Sequence, residues 1–134
     1  MAVSEKRRII IVGVGSFMSR SLALWLAGLG WNIALVSRTQ KSISAIASEV
    51  VAAQRNRNAK VVFRTADAGQ PASLEAALDW SVQQIGGKVD VLNYNAAHVA
   101  PSDILNLTPE VLEADFRVSA LGTLIAGQWF VEHA

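Results

Sequence analysis

The sequence predicts an α/β domain built on a parallel sheet, and three observations lead to this class. Short runs rich in Ile and Val alternate along the chain with longer segments whose apolar residues recur at helical spacing. These runs are continuously apolar, which is typical of strands that are covered on both faces. Each connection is long enough for a crossover helix, so the order β-α-β-α-β-α-β-α indicates right-handed units joining parallel strands.

The elements follow from apolar runs, helical spacing and turn residues. Strands are predicted at residues 8–12, 31–37, 60–64 and 89–94, and helices at residues 17–29, 40–54, 71–85 and 108–134. Leu22, Leu26 and Leu29 mark the inward face of the first helix, and Gly30 is placed to stop it. Without a linker or repeat, residues 1–134 form a single domain, which we expect to be partial.

Composition excludes several function classes. The chain has 134 residues with a net charge of +1, which gives no field that would attract nucleic acid. It has no cysteine, and its two histidines are far apart in sequence, so neither a disulfide framework nor a metal site is expected. The longest apolar stretch, at residues 21–36, is shorter than the roughly 20 residues of a spanning helix. We therefore expect a cytoplasmic protein that makes no membrane contact.

The segment "IIIVGVGSFMSR" joins the first strand to the first helix through a glycine turn. Gly13 permits a tight turn, and Gly15 leaves room for a phosphate beside the backbone. The N–H groups that open the helix would donate to a pyrophosphate, which places Ser16, Phe17 and Met18 in the predicted binding loop. The alternative is a strand-to-helix turn that merely needs small residues, because Met18 replaces the third glycine of G-x-G-x-x-G.

The end of the second strand indicates which dinucleotide would bind. An acidic residue here would bond the ribose 2′-hydroxyl of NAD, but the strand ends with Ser37 followed by Arg38. A guanidinium suits a 2′-phosphate, so the pair predicts NADP over NAD. The alternative is a solvated surface arginine.

The chain resembles the N-terminal half of the short-chain dehydrogenase/reductase family over essentially its whole length. That family opens with a T-G-x-x-x-G-x-G turn and a helix ending in A-x-x-G. Here Gly13 matches the first glycine, Phe17 and Ser19 stand at the second and third, and Gly30 ends the helix. The resemblance implies a Rossmann-type doubly wound sheet that binds a nicotinamide dinucleotide.

Two later segments extend the resemblance. Asp67, followed by Ala68, looks like the family's aspartate after the third strand, which bonds the adenine amino group. "DVLNYNAA" looks like the D-x-L-x-N-N-A-G segment of the fourth strand, with Tyr94 replacing the first asparagine. The resemblance therefore adds to the predicted cofactor site the following residues: Asp67, Ala68, Asn95, Ala96 and Ala97.

The departures from the family concern catalysis. Ser119 stands where the family has an asparagine of its proton relay, and the catalytic Ser and Tyr-x-x-x-Lys of the family would lie beyond Ala134. We therefore expect the NADP(H)-binding part of an oxidoreductase for a small-molecule carbonyl or alcohol, and either self-association of this chain or a longer parent protein. The alternatives are a non-catalytic NADP-binding sensor or scaffold and a domain that binds no nucleotide. His98 is either a substrate contact or an ordinary polar loop residue.

The last predicted helix carries a strongly apolar stripe. In the family, this helix contributes to a subunit interface, so the resemblance implies a homo-oligomer formed through it. The alternative is a helix that buries the same residues on its own sheet, and the two uses can coexist on different faces. The stripe consists of Leu121, Leu124, Ile125, Trp129 and Phe130.

Overall fold

The computed structural model describes residues 6–98 and 100–134. The strands are β1 (Arg8–Val12), β2 (Asn32–Ser37), β3 (Val61–Thr65) and β4 (Val91–Tyr94). The helices are α1 (Met18–Gly28), α2 (Gln40–Ala52), α3 (Pro71–Gln84), α4 (Pro109–Phe116) and α5 (Gly122–His133), with a π-helical segment at Arg117–Leu121 between the last two. The predicted order is confirmed. The largest shift at the start of a strand is in β4, which begins at Val91 rather than at residue 89.

The four strands form one parallel sheet in the order β3-β2-β1-β4. The chain builds outward from β1 through β2 to β3 and then returns to place β4 on the other side of β1. Strand order therefore reverses between β1 and β4, which is where an open α/β sheet forms a crevice at the carboxyl ends of its strands. This confirms the predicted Rossmann-type, doubly wound sheet.

Helices cover both faces of the sheet, which explains the continuous apolar runs. On β1, Ile9 and Ile11 point into a core shared with α1 and α2, whereas Ile10 and Val12 point into one shared with α3 and α5. All four side chains are essentially fully buried. Burial of this kind contributes about 1.5–3 kcal/mol per side chain and fixes β1 as the centre of the domain.

One inward position of α1 is predicted wrongly. Leu26 is buried as expected, but Leu29 is 57% exposed because α1 ends at Gly28 and Leu29 already belongs to its cap. Gly30 follows with φ of +83°, the left-handed conformation that ends helices, so the predicted stop is confirmed.

The last helix is not the uninterrupted α-helix that the sequence predicts. Over Arg117–Leu121 the backbone widens, and the Gly122 N–H donates to the carbonyl of Arg117, five residues earlier. The Val118 carbonyl instead accepts a hydrogen bond from the Tyr94 hydroxyl at the end of β4. A Cβ on Gly122 would lie 2.9 Å from Cζ of Tyr94, so the phenol needs this glycine. Tyr94 thus locks β4 to the π-helical segment, and no sequence periodicity marks that contact.

The apolar stripe of the last helix divides between two environments. Trp129 is only 6% exposed, and its indole N–H donates to Asp79 on α3 at 2.8 Å. Ile125 and Phe130 are partly buried against the same core. Leu121 and Leu124 remain exposed. Most of the stripe therefore packs on its own domain, and the predicted homo-oligomer depends on the exposed leucines.

The glycine turn brings β1 and β4 into unusually close contact. Gly13 has φ of +88°, and a Cβ placed on it would lie 2.5 Å from the Ala96 Cα and 2.6 Å from the Asn95 carbonyl carbon. At Gly15, by contrast, a Cβ would meet no atom within 4 Å. The two glycines of the motif therefore have different tasks, since Gly13 alone is required by packing.

Gly13→Ala should lower the free energy of unfolding by about 3 kcal/mol, because it combines left-handed strain with overpacking against backbone atoms. Gly15→Ala is the matched control and should change stability by less than about 0.5 kcal/mol. Urea unfolding of the two variants checks this. Equal losses at both positions would contradict the close-contact argument.

Tyr94→Phe keeps the ring but removes the hydroxyl that donates to Val118, and should cost about 1 kcal/mol near neutral pH. Burial raises the pKa of Tyr94 above its ordinary value of 10.0. The folded state thus favours the neutral phenol, whose contribution is present below pH 10.0 and is lost as the pH rises through the folded pKa. Urea unfolding at several pH values should show the wild-type advantage shrinking above pH 10.0. A pH-independent difference would count against this.

Candidate functional site

A cavity of about 330 Å³ opens at the carboxyl ends of β1, β2 and β4, at the point where strand order reverses. Eight of the predicted cofactor-binding residues line it: Gly13, Gly15, Ser37, Arg38, Ala68, Asn95, Ala96 and Ala97. They come from separate parts of the sequence, and the parallel sheet brings them together because all its strands end at one edge. The cavity is therefore the candidate functional site.

The floor of the cavity is built from backbone. Gly13 follows β1, and its N–H donates to the carbonyl of Val36 on β2 at 2.8 Å. On the other side, the Asn95 N–H donates to the carbonyl of Val12 at 2.8 Å, which continues the pairing of β4 with β1. Because Gly13 has no side chain, its backbone can lie against that of Asn95 and Ala96, and all three strand ends border the cavity.

Hydrogen bonds of Ser19 connect the floor of the cavity to α1. Its side chain, only 2% exposed, donates to the Gly13 carbonyl at 3.2 Å and accepts from the Asn95 Nδ2 at 2.9 Å. The residue at the family's third glycine is thus a small group that links the turn to the end of β4. A hydroxyl here keeps the tight approach of helix and strand and adds two hydrogen bonds.

α1 begins three residues after Gly15 of the cavity lining and has no side-chain cap. Phe17 occupies the cap position, and no side chain there bonds the first N–H groups of the helix. Those groups have no partners within the helix, so they can donate to an anion. The ring of Phe17 is 84% exposed and, like Ser16 and Met18, lies outside the lining of the cavity. The aromatic ring therefore leaves the glycine turn accessible.

Arg38 lies at the β2 end of the cavity beside Ser37 and Thr39. Its guanidinium gives this end of the cavity a positive charge. No Asp or Glu among the described lining residues offsets that charge. An anionic group bound beside β2 would thus meet a cation and no opposing carboxylate.

Besides Ser16, Phe17 and Met18, two further predicted residues lie outside the cavity lining. Asp67 uses its Oδ1 to accept from the Gly69 N–H at 2.9 Å and so shapes the turn before α3, while its neighbour Ala68 lines the cavity. Ser119 is exposed on the π-helical segment, where the adjacent Val118 forms the cavity wall instead. The roles given to Asp67 and Ser119 remain predictions.

His98 lines the cavity at its β4 end, and its Nδ1 pairs with the Oδ1 of Asp115 on α4. The sequence left two readings of this histidine open, and its partner lies 17 residues away, at a spacing that no motif indicates. Besides Val12 and Val36 of the strands themselves, sequence reasoning missed four other lining residues: Val14, Thr39, Ala66 and Val118. Three of these follow a strand directly or within two residues, a position that could have identified them, whereas Val118 depends on the tertiary packing of the last helix.

Two structural absences concern the part of the chain at residues 6–98 and 100–134. Within it, no three metal-ligating side chains of His, Asp or Glu come together. Nor does any helix there have the length and apolar character that crossing a bilayer requires. Away from the site, hydrogen bonds from the Asn106 side chain and backbone and from the Leu105 backbone lower the pKa of Asp103. It stabilises the loop before α4 rather than the site.

The architecture agrees with that of known proteins. Residues 7–133 match the family model described as short chain dehydrogenase. A very-long-chain 3-oxoacyl-CoA reductase of Coccidioides immitis (strain RS) is 25% identical over 115 residues, which are 86% of this chain and 33% of that protein.

Solved structures show the same fold. A variant of actinorhodin polyketide ketoreductase with NADPH superposes with a TM-score of 0.85 at 20% identity, covering 98% of this chain and 49% of the other. The NADH-dependent reductase A1-R′ complexed with NAD superposes with a TM-score of 0.82 at 21% identity, covering 96% of this chain and 52% of that protein. The chain thus spans about a third to a half of the length of these proteins. With a family match over nearly all of its residues, this chain belongs to the short-chain dehydrogenase family, whose members use nicotinamide dinucleotides as cofactors.

Proposed function

We propose that this chain is the NADP(H)-binding part of a short-chain oxidoreductase. The observation that carries the proposal is the cavity at the point where strand order reverses. This cavity has Arg38 at one end and no carboxylate among its described lining residues. A 2′-phosphate requires a cation and is repelled by the acidic residue that NAD-binding sites place at the end of β2. Membership of the family supports a nicotinamide dinucleotide as the ligand, and Arg38 supports NADP(H) over NAD(H).

The residues present fit such a cofactor. Adenosine with its 2′-phosphate would lie beside Arg38 and Ala68, and the pyrophosphate would lie over the Gly13 turn, where the uncapped start of α1 supplies N–H donors. The nicotinamide half would then reach Asn95 and Ala97 at the end of β4. When bound, the cofactor would supply a hydride, and this chain's residues would hold and orient it.

The substrate class proposed for the whole protein is a small carbonyl compound or the corresponding alcohol. It rests on the family alone, since the chain spans at most about half of each relative reported above. The second candidate is a non-catalytic NADP-binding sensor or scaffold. The observation behind it is that Tyr94, the single tyrosine of these 134 residues, donates its hydroxyl to the Val118 carbonyl, a contact within the fold. NADPH consumption in the presence of ketones separates the two candidates.

Arg38→Ala should weaken NADPH binding about tenfold or more, because charge-assisted hydrogen bonds to a phosphate contribute about 1.5–3 kcal/mol. NADH binding should change by less than about twofold, since NADH lacks the 2′-phosphate. Isothermal titration of both nucleotides measures the difference. Arg57→Ala, on the exposed turn after α2, is the matched control. Equal affinities of the wild type for NADPH and NADH would refute the role of Arg38.

Phe17→Gly tests whether the aromatic ring obstructs the glycine turn. Because the ring is 84% exposed and lies outside the cavity lining, we expect NADPH affinity to stay within about threefold of the wild type. The same titration provides the measurement, with melting temperature as a check on the helix start. A much tighter complex would mean that the native ring blocks the pyrophosphate position.

A further inference from the structure

A histidine–aspartate pair stands at the end of the cavity opposite Arg38. His98 follows β4 and lines the cavity, while Asp115 lies on α4, and the Nδ1 of the histidine meets the Oδ1 of the aspartate. The histidine side chain is 44% exposed and the aspartate 29%, so the pair is open to a ligand on one side and supported on the other. Neither the glycine turn nor the Arg38 position accounts for it.

The pairing decides what the imidazole can do. A carboxylate that bonds Nδ1 holds the proton on that nitrogen and fixes the plane of the ring. In the neutral form of the ring, the second nitrogen, Nε2, then carries a lone pair, and within the described residues it makes no hydrogen bond. A neutral ring held in this way is an oriented acceptor, suited to a hydroxyl or an amide N–H of a ligand.

The sheet order decides which part of a ligand meets this acceptor. Along β2-β1-β4, the cavity presents Arg38, then Gly13, then His98. If the 2′-phosphate lies beside Arg38 and the pyrophosphate beside Gly13, the next part of the dinucleotide reaches the end of β4. That part is the second ribose with its nicotinamide, whose hydroxyl and carboxamide groups are hydrogen-bond donors.

We propose that His98, oriented by Asp115, binds the nicotinamide half of the dinucleotide by accepting a hydrogen bond at Nε2. This inference rests on the proposed function, because it takes the order of the cofactor's parts from Arg38. It assigns His98 a direct cofactor contact and makes Asp115 a positioning residue.

The test compares two probes that differ in the nicotinamide half. NADPH contains it, whereas adenosine 2′,5′-bisphosphate contains only the adenosine with its 2′-phosphate and one further phosphate. His98→Ala should weaken NADPH binding about fivefold, the effect of one lost hydrogen bond, and leave the bisphosphate within about twofold of the wild type. His98→Gln, whose amide retains a polar acceptor, should recover part of the NADPH affinity.

Asp115→Asn should weaken NADPH binding in the same direction but less than His98→Ala, because it frees the ring without removing it. The chain's other histidine supplies the matched control, and His133→Gln at the end of α5 should leave both affinities unchanged. Melting temperatures of all variants show whether the loop still folds. These readouts separate a cofactor contact from a merely structural pair, which would affect both probes equally.

Every outcome bears on the inference. Equal weakening of both probes by His98→Ala, or no weakening of either, would overturn the role of His98 while leaving the proposed function in place. If the wild type binds neither NADPH nor the bisphosphate, the proposed function fails and this inference fails with it. Selective loss of NADPH affinity supports both.

Discussion

The candidate site depends on one close contact, in which the backbone of Gly13 lies against the backbone of Asn95 and Ala96. The contact brings the ends of β1 and β4 to the same depth, and the hydrogen bond from Gly13 to Val36 adds the end of β2. Ser19 then ties the turn, the first helix and Asn95 together from beneath. A side chain at Gly13 would separate these parts, so the shape of the cavity is a consequence of packing as much as of ligand binding.

A second contact, between Tyr94 and the π-helical segment, positions the part of the cavity wall formed by Val118. Tyr94 donates to the Val118 carbonyl of the π-helical segment, and Gly122 provides the room for its ring. The same segment carries Val118 into the cavity wall and leaves Ser119 exposed. Tyr94 therefore serves the structure, since its hydroxyl joins the end of β4 to the segment between α4 and α5. π-helical turns inside long helices are often found beside functional sites, and this one borders the cavity.

Charged and polar groups lie along the cavity in the order of the strands β2, β1 and β4. A guanidinium follows β2, open backbone follows β1, and an aspartate-held imidazole follows β4. Each group is supplied by the first residues after a strand, where loops can vary without disturbing the core. The helices that cover the two faces bury the apolar side chains that hold this edge rigid. The strands and helices thus stabilise the domain, while the residues that follow the strands line the cavity.

Apolar runs, helical spacing and glycine stops are local signals, so the sheet, the order of its elements and the strand ends at the site could be predicted from the residues alone. Gly13, Arg38 and Asn95 could be identified in this way, since each follows a strand at a fixed distance. The remaining features follow from packing between distant segments. The exposed direction of Phe17, the Ser19 link and the π-helical segment depend on contacts between residues that are distant in sequence. The pairing of His98 with Asp115 is of the same kind, because it required β4 and α4 to be folded against each other.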